Sequence, residues 1–114
     1  MITVTVNAQG DVVFPLEFDE RYQLEVADRG YLSHVAVSMP DGSRYPLHFI
    51  SPLRLEQELA QLCRFGPCLF VEVGLVVVPD LALDTLITAV RDLIARGYFK
   101  FLKTIDEAPN PWDV

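Results

Sequence analysis

Cys68-Leu69-Phe70-Val71-Glu72-Val73-Gly74-Leu75-Val76-Val77-Val78 is the stretch on which the reading of this chain turns. A run that apolar is the pattern of a strand buried on both faces, so it is expected to form the central strand of a packed sheet. Glu72 and Pro79 interrupt it, and it is too short to cross a bilayer as a helix. An amphipathic helix follows, from about Asp80 or Asp84 to Arg96. Its residues Leu83, Leu86, Ile87, Val90, Leu93 and Ile94 recur at i, i+3, i+4, i+7 spacing. Gly97 then stands at the C-cap, with Arg91 and Arg96 near the negative helix end. On the N-terminal side of the run, Ser51 is placed to cap a helix with Pro52 at its first position and Ile50 stapling to Leu55. Leu55, Leu59 and Leu62 make its apolar stripe, and Gly66-Pro67 ends it.

Further upstream, Pro40-Asp41-Gly42 separates two alternating segments, and this spells a hairpin: Pro presets φ and Gly accepts φ > 0. With Met39 opposite Ser43, the pairing sets Val37 against Tyr45, Val35 against Leu47 and Ser33 against Phe49 on one face. Ser38 then meets Arg44, Ala36 meets Pro46 and His34 meets His48 on the other. Pro46 cannot donate to a ladder, so Arg44–Ile50 is expected at a sheet edge. Ile2-Thr3-Val4-Thr5-Val6 alternates as a first strand, and Val12-Val13-Phe14 returns after a turn. Leu16–Val26 reads equally as a short helix or as a strand, and Tyr98–Lys103 as a short final strand. The fold class is α+β: a mostly antiparallel sheet with two amphipathic helices packed on one face. Residues 1–105 form one domain, and 106–114 form an extended tail carrying Trp112, the lone tryptophan, for which a docking groove is expected.

The 114 residues, 51% of them hydrophobic, suffice for one core without staples. Sixteen acidic against nine basic side chains leave a net charge of −7, which repels nucleic-acid phosphate and anionic membranes, so neither is an expected partner. The start of the chain lacks a basic, then apolar, export pattern. Cys63 and Cys68 therefore read as buried, reduced and unreactive thiols in a cytoplasmic protein.

Few residues have the pattern of chemistry. His34 and His48, the only histidines, face each other in the hairpin register, but a metal needs a third ligand and the spacing offers none. Cys63 and Cys68 lack C-x-x-C spacing. Glu72 interrupts the apolar run, and a buried carboxylate there would have a raised pKa suited to acid–base work. Pairing with Arg21, Arg44 or Arg54 is the structural alternative. No phosphate loop, nucleophile elbow or paired-carboxylate motif is present. The expectation is thus no catalytic, cofactor-binding or metal-binding residue and no cofactor.

Ile2–Asp28 places a strand, Gly10, a Val13-Phe14-Pro15 strand end, Leu24 and Asp28 in an order that resembles the swapped-hairpin transcription factors of the AbrB/MazE type. The resemblance implies dimerisation. The basic DNA-contacting residues of that family are replaced here by Asp11, Glu17 and Asp19. The leading expectation is a non-enzymatic protein working by protein–protein contact as a homo-oligomer. The alternatives are an acidic inhibitor or immunity-type protein neutralising a basic enzyme, a small enzyme using Glu72 with His34 or His48, and a degenerate antitoxin or regulator of the resembled type.

Overall fold

The computed structural model describes residues 2–7, 10–14, 19–66, 68–102 and 104. The Trp112 tail lies outside them, as do residues 15–18 of the segment that sequence left ambiguous. Among the described residues the elements run β1 (Ile2–Asn7), β2 (Gly10–Phe14), α1 (Glu20–Arg29), β3 (Tyr31–Ser38), β4 (Arg44–Ile50), α2 (Pro52–Phe65), β5 (Leu75–Val77) and α3 (Leu83–Ala95). A 3-10 helix, Tyr98–Phe101, closes the sequence of elements. The sheet order is β1-β2-β3-β4-β5. Its first three pairings are antiparallel, and β5 joins β4 in parallel after the α2 crossover. The fold is α+β, with a mixed five-stranded sheet and three helices rather than two.

Local chemistry accounts for most element ends. Asp19 caps α1 by accepting from the Tyr22 N–H at 2.8 Å, and Gly30, at φ 78°, closes it. This makes Glu20–Arg29 a helix and leaves no strand over Tyr22–Val26. Ser51 caps α2 with its hydroxyl accepting from the Arg54 N–H. The hairpin has the expected register from Val35 to Ser38, and the Met39 N–H donates to the Ser43 carbonyl at 2.8 Å.

The register shifts between Leu32 and Val35, so Leu32, not Ser33, lies opposite Phe49. The cause is burial. Leu32 and Val35 are both in the core, yet three residues apart they would point to opposite faces of a straight strand. A bulge at Ser33-His34, with His34 at φ 64°, returns them to one face.

The core lies on one side of the sheet. Val12, Phe14, Leu32, Val35, Val37, Leu47 and Phe49 meet Tyr22 and Val26 of α1 and Leu86, Val90 and Ile94 of α3. Burying such side chains is worth roughly 1.5–3 kcal/mol each. By contrast α2 buries no residue, so its stripe of Leu55, Leu59 and Leu62 does not join this core.

The largest departure from expectation is Cys68–Val78. The middle strand of the sheet is β3, and only Leu75–Val77 of the apolar run forms a strand, at the sheet edge. Arg44–Ile50 in turn lies inside the sheet rather than at its edge. The reason is Gly74. The chain turns there at φ 77°, and a Cβ at Gly74 would run into the Pro46 carbonyl. The turn ends the extended conformation after Val73, and Pro79 ends it again after Val78. Leu69, Val71 and Val73 are left 62%, 71% and 56% exposed. Tyr98–Phe101 is helical rather than a final strand, with Phe99 folded into the core.

Cys63 and Cys68 are joined by a disulfide and both are exposed, which overturns the reading of buried free thiols. Gly66 breaks the helix between them, so the chain doubles back and brings two residues that are separated by five positions within bonding reach.

Two outcomes test this account. Gly74→Ala is expected to lose at least about 2 kcal/mol of stability by chemical denaturation, from left-handed strain plus the clash with Pro46. Thiol titration of the unreduced, denatured chain should find neither cysteine free; reduction should release both and cost about 2 kcal/mol for so small a ring.

Candidate functional site

Because α2 stands off the sheet, a cavity of about 300 Å³ lies between them. The sheet supplies Tyr31, Ser33, His48 and Ile50, α2 supplies Arg54 and Glu58, and the segment before β5 supplies Phe70 and Glu72. Three elements from distant parts of the sequence therefore build it, and the disulfide ties one wall to the end of α2.

Arg54 organises the polar side. Its Nε and Nη2 donate to Glu58 Oε1 at 2.8 and 2.6 Å, one helical turn apart. Its guanidinium also lies 4.8 Å from the Tyr31 ring centroid, and Arg29 lies 4.8 Å from the same ring. Tyr31 thus packs against two cations. Sequence reasoning named none of Tyr31, Arg29 and Glu58 as site residues. Only the i,i+4 spacing of Arg54 and Glu58 was a legible signal; the stacking on Tyr31 depends on Arg29 and Arg54 arriving from different helices.

His48 is 4% exposed. Burial, and secondly the nearby His34 charge, push its imidazole down to about 4, so it is neutral at physiological pH. His34 does meet His48 as the hairpin register requires, with ring centroids 6.4 Å apart in an edge-to-face contact, although the bulge and not the straight ladder brings it there. Among the described residues no group of three or more His, Cys, Asp and Glu is arranged to hold a metal ion.

Glu72 lines the cavity but is exposed at its rim. Two of the arginines expected to pair with it have other carboxylates: Arg21 with Glu25 at 3.4 Å and Arg54 with Glu58. His34 is not among the residues that line the cavity. Glu72 and His48 thus line one cavity and His34 packs against His48, with Glu72 on the water-exposed side.

A second feature is the exposed apolar surface of Leu69, Val71, Val73 and Val77, which follows the disulfide and ends on the outer side of β5. Among the described residues no helix is long and apolar enough to cross a membrane. No protein-family profile, curated protein or solved structure matches the chain.

The neutral buried imidazole has a consequence for stability. The folded-state pKa of His48 lies below the unfolded value near 6.5, so the contribution is fully present above pH 6.5 and is lost as pH falls toward 4. The loss amounts to on the order of 3 kcal/mol at acid pH. Denaturation of wild type and His48→Gln at matched pH values should show wild type losing its advantage across that window; parallel curves would contradict it.

Proposed function

We propose that this chain is a non-enzymatic protein that works by protein–protein contact, and that its first partner is a second copy of itself. The observation that carries the reading is the exposure of Leu69, Val71 and Val73, at 62%, 71% and 56%, on three alternate positions of one segment. Single apolar residues on a surface need no explanation, but three exposed within five residues of one segment are the kind of feature that marks an interaction site. Symmetric pairing of two such segments would bury each against its counterpart, as a two-fold interface requires. The exposure of Glu72 to water supports reading the protein as a non-enzyme.

The disulfide bears on compartment. A cytoplasmic location fits only if the exposed Cys63–Cys68 bridge is open there, since exposed bridges are reduced by the thiol pool. An oxidising compartment fits the bridge as it stands.

Light scattering at tens of micromolar, where interfaces of moderate affinity assemble, is expected to give a dimer mass. Val71→Asp should give a monomer while changing stability by less than about 0.5 kcal/mol, because the side chain is exposed. A monomeric wild-type protein at these concentrations would refute self-association.

A further inference from the structure

Beyond the apolar segment, the outer side of β5 carries a second surface. The Val78 N–H donates to the Ile50 carbonyl at 3.0 Å, and the Gly74 carbonyl accepts from the His48 N–H at 2.9 Å. By the alternation of a strand, the N–H of Val77 and the carbonyls of Leu75 and Val77 point away from β4. Among the described residues no strand pairs with that side.

Beside this edge runs a groove of about 610 Å³ between β5 and α3. Its α3 wall carries the short side chains Thr85, Thr88 and Ala89, with Leu93 beside them and Asp84 and Asp92 spaced along it. An added strand would continue the sheet by one place and drop every second side chain into this groove. No Lys, Arg or His stands among the described residues that line it. Asp80, just outside, is held in place by the Thr85 hydroxyl at 2.6 Å and the Ala82 N–H at 3.0 Å. Asp92 is shared with Arg96 at 2.8 Å, but Asp84 has no ion pair among those described.

We propose that the β5 edge and the α3 groove together bind an extended segment of another protein that carries Lys or Arg at alternate positions. The ladder bonds supply attachment and the groove carboxylates supply the preference for cationic side chains. A second copy of this chain fits less well, because it brings net charge −7 to an acidic groove. Only Leu75–Val77 offers an edge before Pro79, so the affinity belongs on the order of micromolar. This inference rests on the contact reading above. Its test does not, since peptide binding is measured whether or not the protein dimerises.

The probe is a fluorescent peptide of alternating lysine and valine, titrated with the full chain and followed by anisotropy. Saturable binding is expected. A glutamate–valine peptide should not bind, and Asp84→Asn with Asp92→Asn should weaken the lysine peptide about five- to ten-fold. N-methylation of alternate peptide amides, which keeps the charge but removes the ladder donors, should weaken it at least roughly ten-fold. Equal binding of the N-methylated peptide would reduce the effect to general charge attraction and overturn the proposal, as would no binding by wild type or no effect of the two Asn substitutions. In the peptide-free chain the Val77 amide should exchange rapidly with solvent. Slow exchange would mean that the chain's own residues or a second copy already cover the edge, and would overturn it too.

Discussion

Every surface with a functional reading depends on the close approach of Gly74 to the Pro46 carbonyl. Pro46 lacks an N–H, so the ladder is already interrupted at that point of β4. The residue facing it must present bare backbone, and a left-handed turn without a Cβ meets both demands. Once the chain turns there, the residues before it leave the sheet and those after it run parallel to β4 for three positions. One side of the turn becomes the exposed apolar segment and the cavity wall, the other becomes β5 and its groove, whose outer side pairs with no strand among the described residues.

The middle of the sheet is organised by a different requirement. Leu32 and Val35 both belong to the core, and a straight strand cannot place them there. The bulge that reconciles them sets His34 in a left-handed conformation, tolerable for histidine more than for a branched residue. The two imidazoles meet as a by-product of core packing. Burial, with a smaller push from the His34 charge, keeps His48 neutral. The cavity beside them has a similar origin: α2 crosses from β4 to β5 without burying a residue, and the Arg54–Glu58 pair stands where apolar packing would otherwise lie.

Acidity and apolarity are distributed unevenly around β5. The segment leading into the strand exposes leucine and valine, whereas the α3 side carries carboxylates over short side chains. Two proposed contacts of different chemistry thus meet on a strand of three residues, and so short an edge limits uncontrolled pairing.

Much of the fold was legible in the residues themselves. The Pro40-Asp41-Gly42 turn, the capping by Ser51 with Pro52, and the 3.6-residue stripe of α3 all emerged where local chemistry put them, because turn geometry, capping and amphipathic periodicity act over a few residues. The pairing of Val35, Ala36, Val37 and Ser38 followed from the turn. Only the tertiary structure decided where Cys68–Val78 went. Its hydrophobicity states that burial is favourable but does not name the surface that provides it: Val78 reaches the core, whereas Leu69, Val71 and Val73 stay exposed. The bulge, the Cys63–Cys68 bridge and the stacking of Arg29 and Arg54 on Tyr31 were hidden for the same reason. Each depends on where two distant segments meet, and that is settled by the packing of the whole chain rather than by the pattern of any one part.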